Sequence, residues 1–145
     1  MLVTDGRGTP LADLLSSASP AEITLLERTL AKVPVLRARR PGQARGRVGR
    51  VLADAAYDSD PHRARLKRRA ITLIAPHRSN RVRPATADGR SLRRLKRRWV
   101  VERTFAWLQT FRRLQTRFDH SAVSYAGFVH LACAMLTLRR VLGGF

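Results

Sequence analysis

Val51-Leu52-Ala53-Asp54-Ala55-Ala56-Tyr57-Asp58-Ser59-Asp60-Pro61 is the stretch on which the fold turns. Val48, Val51, Leu52 and Ala53 make a short apolar run of strand length, and it ends on Asp54. Cap residues and a proline then open a helix that reaches to about Arg69. Ile71–Ala75 is the next short buried run, with turn signals on its C-terminal side. Strand, helix, strand in that order predicts a parallel crossover and so an α/β fold.

Upstream, two mostly apolar segments, Met1–Thr4 and Thr9–Leu15, flank the turn residues Asp5-Gly6-Arg7-Gly8 and read as a hairpin. Ser19-Pro20-Ala21-Glu22 offers an N-cap, a proline at the first helical position and a capping-box Glu, so a helix is expected from about Pro20 to Val33. Arg37 to Arg50 is rich in Arg, Gly and Pro and is either a solvated loop or a phosphate-gripping one. Downstream of a polar loop, Leu92, Leu95, Trp99, Val101, Phe105, Leu108 and Phe111 predict one long helix from about Ser91 to Leu114. A last helix is expected from about Val123 to Leu142, stopping at Gly143-Gly144.

The 145 residues suit a single domain, and 29 Lys+Arg against 10 Asp+Glu leave a formal charge of +19. That excess argues against a neutral-surfaced metabolic enzyme and for a polyanionic partner. Hydrophobic residues make up 44% of the chain, enough for a packed core. Only Lys32, Lys67 and Lys96 are lysines. Arginine forks onto phosphate and stacks on bases, which suits nucleic acid, although a GC-rich genome explains the ratio equally well. It does not explain the excess over acids. Cys133, set among Leu, Ala and Met, reads as a small core residue. No export signal precedes the hairpin, and the apolar run Ala126–Leu138 is shorter than the roughly 18 residues that span a bilayer, so a cytoplasmic protein without a membrane partner is expected.

Two acids stand apart from a solvated-surface account. Asp54 ends a strand, where α/β folds bind ligands, and is a candidate metal ligand; a helix cap or turn former is an equal alternative. Glu102 lies inside the long helix beside Val100, Val101 and Phe105. Seven helical residues return to within about 20° of the start, so Leu95, Glu102 and Gln109 share a stripe with Arg98 close by. The bland alternative is an ordinary Arg98–Glu102 ion pair. Two carboxylates brought together repel unless a divalent cation joins them, and Mg²⁺ held so can clamp a phosphodiester during in-line displacement. Arginines would hold the nucleic-acid backbone against such a centre.

Leu52-Ala53-Asp54-Ala55-Ala56-Tyr57-Asp58-Ser59, Arg97-Arg98-Trp99-Val100-Val101-Glu102-Arg103-Thr104-Phe105, Phe111-Arg112-Arg113-Leu114-Gln115-Thr116-Arg117-Phe118-Asp119 and Phe128-Val129-His130-Leu131-Ala132 follow one another along the chain. In that order they resemble the bacterial insertion-sequence transposases with an Asp-Asp-Glu active site, of the group of insertion sequences four and five. The resemblance implies a ribonuclease-H-like mixed sheet with flanking helices, with Asp54 and Glu102 as catalytic metal ligands for Mg²⁺ or Mn²⁺. It implies DNA contacts from Arg98, Arg103, Gln109, Arg112 and Arg113, and a homo-oligomer when active. The family's Tyr, Arg, Glu, Lys helix signature falls on Leu95, Arg98, Glu102 and Gln109, two of four matching.

Family members carry a first catalytic Asp on a strand upstream of the segment like Leu2–Leu11. The expectation is therefore a partial catalytic domain over residues 1–145 that lacks its first strand: a truncated transposase, or the second frame of an element whose upstream reading frame supplies that strand. Such a chain alone should not perform strand transfer. Asp5, ahead of Gly6, reads as a turn former. The alternative is a non-catalytic DNA-binding remnant of a transposase. Trp99, Phe105 and Trp107 read as packing aromatics, and Arg63, Arg65, Arg68 and Arg69 either track DNA or form an exposed basic face. His62, His77, His120 and His130 lack zinc-site spacing. Asp88 and Asp119 read as turn residues.

Overall fold

The computed structural model describes residues 1–17, 19–34, 48–86 and 89–143. Most of the Arg37–Arg50 stretch, Asp88 and Gly144 lie outside the described residues. The expected hairpin forms from β1 (Leu2–Thr4) and β2 (Pro10–Asp13), antiparallel, with Val3 opposite Ala12. Asp5 is its turn former: Oδ1 accepts the N–H groups of Arg7 and Thr9, each at 2.8 Å. Gly8 has φ +91°, and a Cβ there would stand 2.8 Å from Thr104 Oγ1, the hydroxyl that donates to the Gly8 carbonyl. The turn is thereby fastened to the helix that carries Glu102.

Helix α1 (Glu22–Ala31) buries Leu25, Leu26, Thr29 and Leu30 on one face. It starts two residues later than Pro20, and no side chain caps it. The expected capping box is not made; instead Thr24 Oγ1 donates to the Ala21 carbonyl at 2.7 Å.

Strands β3 (Arg50–Leu52) and β4 (Thr72–Ile74) pair in parallel, Val51 opposite Leu73, with α2 (Asp60–Arg68) as the crossover. This is the connection that the strand, helix, strand order predicts. Helix α2 ends in a Schellman motif: Ile71 N–H donates to Leu66 O and Ala70 N–H to Lys67 O, both at 2.9 Å, with Ala70 at φ 58°. Leu26, Leu30, Ala53, Leu66, Ile71, Leu73 and Ala75 close one core between α1, α2 and this sheet. Each buried Leu or Ile contributes about 1.5–3 kcal/mol.

The single helix expected over Ser91–Leu114 is broken. Instead α3 (Gly89–Leu92), a tight 3-10 segment over Arg93–Arg97, α4 (Trp99–Gln109) and α5 (Arg112–Gln115) follow in turn. Five cations between Arg93 and Arg98 repel at helical spacing, and the buried stripe Val100, Thr104, Leu108 begins only after them. The second break falls at Thr110, whose hydroxyl donates to the Trp107 carbonyl, and at Phe111, whose backbone is extended.

Helix α6 (Ala122–Val141) begins where Ser121 Oγ accepts the Val123 N–H at 3.2 Å, and it packs Ala132 and Leu136 against Leu108. By length and composition alone it could cross a membrane, which the shorter apolar run counted in the sequence did not suggest. Cys133 on this helix is half-buried, and burial pushes its thiol up to about 11.

Fold class is mixed α/β, but the sheet differs from expectation. Among the described residues there are two two-stranded sheets, β1-β2 and β3-β4, rather than one mixed sheet. A cleft separates them, lined by β1 on one side and β3 on the other, so neither strand finds the other as a partner.

Candidate active site and nucleic-acid surface

Ala53 extends the parallel ladder by one bond, donating to Ile74 O at 3.0 Å, and the chain then leaves the sheet at Asp54. Asp54 is half-buried, and its Oδ1 accepts the Ala56 N–H at 2.9 Å, capping the 3-10 turn Ala55–Tyr57. The cap reading of this residue is thus realised. One N–H engages one oxygen, which leaves most of the carboxylate's acceptor capacity unused.

Glu102 sits in the first turn of α4, 61% exposed, with Arg98 Nη2 at 3.2 Å from Oε1. The ordinary i,i+4 ion pair is realised as well. Both carboxylates line the same cleft, of about 1670 Å³, together with Arg93, Arg94, Lys96, Arg97 and Arg98. Strand end and helix therefore present Asp54 and Glu102 to one space that Arg50 and Glu22 line as well. Asp5 lines it too, its carboxyl held below the ordinary range because the two N–H bonds outweigh burial. Among the described residues no group of three or more His, Cys, Asp or Glu is placed to hold a metal ion.

Other expected DNA contacts are not gathered here. Arg103 turns aside: its guanidinium lies 4.6 Å from both the Trp99 and Trp107 ring centroids and donates to Arg7 O at 2.8 Å. Gln109 is exposed seven residues beyond Glu102, about 10 Å along the axis. Arg112 is exposed on α5, while Arg113 pairs with Asp119 at 3.7 Å and lies over Phe128. None of the four lines the cleft. Of the aromatics read as packing residues, Trp99 is 52% exposed and Phe105 is also exposed.

Beside the site lies a group that the sequence reading left without a role. Asp58 is only 3% exposed and receives Arg63, Arg81 at 3.2 Å, His77 Nδ1 at 3.0 Å and the Arg78 N–H at 2.9 Å. Burial pushes its carboxyl up, but these bonds and the Arg63 charge win, so it stays far below the usual carboxylate range. Arg81 also pairs with Asp60 at 2.9 Å, and Arg63 donates to Ala75 O. The knot ties the end of β4 and the loop after it to the start of α2. Arg63 is therefore part of the framework, and Arg65 pairs with Glu27 at 2.7 Å. The one available signal was the Tyr57-Asp58-Ser59-Asp60 run, acids packed ahead of a helix full of arginines.

A small α/β fold that opens Asp54, Glu102 and a wall of cations onto one cleft defines a class by its surface: α/β domains with a basic, carboxylate-bearing cleft. The family is then specific. Residues 1–137 match the model of the transposase DDE domain, and the chain belongs to that family of insertion-sequence transposases. Over 142 residues it is 40% identical to a Burkholderia cepacia protein bearing the name of transposase for insertion sequence element IS402. That match takes in 96% of this chain and 63% of the relative, so the chain spans less than two thirds of the relative's length. A Brucella ovis protein named in the same way for element IS6501 is 42% identical over 96 residues, 63% of this chain and 69% of that protein. No solved structure matches the chain.

Proposed function

We propose that this chain is part of the catalytic domain of an insertion-sequence transposase with a ribonuclease-H-like core, and that it acts on DNA by metal-dependent phosphodiester cleavage and strand transfer. The observation that carries the reading is the common cleft: Asp54 and Glu102 face it, and Arg93, Arg94, Lys96, Arg97 and Arg98 wall it. Two hard oxygen donors with spare lone pairs suit Mg²⁺ or Mn²⁺, which binds through one or two carboxylates and completes its shell with water and phosphate. Such an ion, when bound, stabilises charge on the attacking and leaving oxygens.

The chain's own residues do the rest. Asp54 is held in place by the Ala56 N–H, and Glu102 by its helix, so neither has to be ordered when an ion arrives. Arg98 orients Glu102 from one side and leaves Oε2 open. Arginines along the wall position the DNA backbone without reading its sequence. Gln109 and Arg112, exposed farther along, extend that path. The active assembly is an oligomer on two DNA ends, and its first carboxylate comes from outside the described residues.

Titration of the chain and of Asp54→Asn and Glu102→Gln with Mn²⁺, followed by paramagnetic resonance, tests this. Binding should be lost in both variants, while affinity for a DNA duplex persists and falls steeply with salt. Equal Mn²⁺ binding by all three would sink it. A second reading, DNA binding without catalysis, is favoured because among the described residues no three acids or other ligands are placed together to hold a metal ion. It predicts the same salt-sensitive DNA affinity with no Mn²⁺ site at all.

A further inference from the structure

Helix α6 packs one face against the domain and leaves the opposite face bare. Ala132 and Leu136 are buried against Leu108, whereas Gly127, Leu131, Ala134, Met135, Leu138 and Leu142 are all exposed. At about 100° per residue these six fall within about 60° of Leu131, so they form one stripe about 22 Å long. No polar side chain interrupts it. From Ala122 to Leu138 the helix carries no Lys, Arg, Asp or Glu, in a chain where such residues make up 27%.

Two further features point to a second helix as the cover. Gly127 sits inside α6, where glycine weakens a helix, and a Cβ there would meet nothing within 4 Å. No neighbour among the described residues therefore calls for a glycine; the close approach of another backbone does. The stripe is also complementary to itself in reverse. Turned antiparallel about the point midway between Ala134 and Met135, Gly127 meets Leu142, Leu131 meets Leu138 and Ala134 meets Met135 of a second copy. Every stripe position then meets another, and small faces large at the ends. A parallel pairing would set Gly127 on Gly127 and Leu142 on Leu142, and would align the two helix dipoles unfavourably.

We propose that this stripe is a self-association surface, at which α6 of one copy packs antiparallel on α6 of a second. Two molecules of charge +19 repel, and an uncharged helix face is where they approach with least repulsion. The Arg139 residues of the two copies would stay about 13 Å apart along the seam, beyond the screening length of about 8 Å at physiological salt. A bilayer is a poorer occupant. Ala132, Leu136 and the His130–Asp13 pair at 3.1 Å tie α6 to the domain, and its last turn carries Arg139 and Arg140. No stripe residue lines the cleft of Asp54 and Glu102. The surface supplies a contact for the oligomer in the proposed function, and it rests on neither metal nor DNA.

Sedimentation velocity of the chain alone, from about 1 to about 300 µM, tests this, because a short helical seam belongs at the weak end of specific interfaces, with Kd on the order of 10 µM. Dimerisation should tighten as salt rises and screens the repulsion. Leu131→Glu and Leu138→Glu, both at exposed positions, should each weaken it at least tenfold while leaving the monomer's fold intact. Gly127→Leu should strengthen the helix of the monomer yet weaken the dimer at least tenfold, a pair of signs that a purely local role does not give. Leu131→Cys should form a disulfide with Leu138→Cys and not with itself, since the two copies of position 131 lie about 10 Å apart and a disulfide spans about 4.4–6.8 Å between Cα atoms. Asp54→Asn and Glu102→Gln should dimerise as the parent does, so failure of the metal site and failure of this surface are read separately. The proposal is overturned if the chain stays monomeric at about 300 µM, if association falls with salt as bridging by nucleic acid would, if the stripe variants associate like the parent, if Leu131→Cys links to itself, or if α6 instead carries the chain onto vesicles of a zwitterionic phospholipid.

Discussion

Asp54 and Asp58 stand one helical turn apart in sequence, in the same motif, and live in opposite conditions. Asp54 is half-buried and accepts a single N–H. Asp58 is almost wholly buried and saturated by Arg63, His77, Arg78 and Arg81. A carboxylate whose lone pairs are taken by two guanidinium groups, an imidazole and a backbone N–H cannot also bind a metal; one that spends a single lone pair on its own backbone turn can. The second acid builds the loop that lets the first stand at the mouth of the cleft.

The largest expected effect separates the two by metal. Since losing an outer partner of a ligand costs about 10–100-fold in metal affinity, Asp54→Asn should cost at least about a hundredfold for Mn²⁺. Its amide oxygen still accepts the Ala56 N–H, so the fold should stay intact. Asp58→Asn, in the fraction that is folded, should leave Mn²⁺ affinity within about twofold, because outer partners cost more than that only when they touch a ligand. A hundredfold loss there would erase the comparison.

Stability should show the reverse. Removing one partner of a buried ion pair costs about 3–5 kcal/mol, so Asp58→Asn should lower Tm by about 10 °C, whereas Asp54→Asn should move it by no more than about 2 °C. The pH dependence has a defined sign. Asp58 has its carboxyl depressed in the folded state, so its contribution is present above the ordinary carboxylate range, near pH 4, and is lost as pH falls below it. Asp60, depressed by its Arg81 bond, acts in the same direction. Thermal melts between pH 2 and 6 should show a steep acid limb in the parent and a flatter one in Asp58→Asn.

Much of this was legible in the sequence where local patterns decide. The hairpin around Asp5-Gly6-Arg7-Gly8, the crossover through α2 and the last helix after Ser121 follow from turn residues, caps and periodicity. Asp54 and Glu102 were visible because acids in a +19 chain are conspicuous at a strand end and on a helix. Failures came where tertiary charge outweighs period. The apolar spacing from Leu92 to Phe111 hid the repulsion that tightens Arg93–Arg97, and the spacing gave no sign that Arg103 lies between Trp99 and Trp107. Asp58 was opaque because its partners, His77, Arg78 and Arg81, lie 19 to 23 residues away.

Arg103 and Arg98 carry the comparison onto the basic residues. Arg103→Ala should cost about 1.5–3.5 kcal/mol, since two cation–π contacts of about 0.5–1 kcal/mol each and one hydrogen bond of about 0.5–1.5 kcal/mol are lost. Its effect on duplex affinity should be no larger than that destabilisation explains.

Arg98→Ala is the smallest change in stability and the more telling one. Its only described ion pair is the exposed one with Glu102, worth about 0.3–0.5 kcal/mol, so Tm should shift by about 1–2 °C at most. Yet Arg98 lines the cleft, and a phosphate contact removed there should lower duplex affinity and reduce the slope of log affinity against log salt by about 1. Fluorescence anisotropy across a salt series reads both quantities. If the slope is unchanged in Arg98→Ala and reduced in Arg103→Ala, the DNA runs over the tryptophan side of α4 and the cleft is not its path.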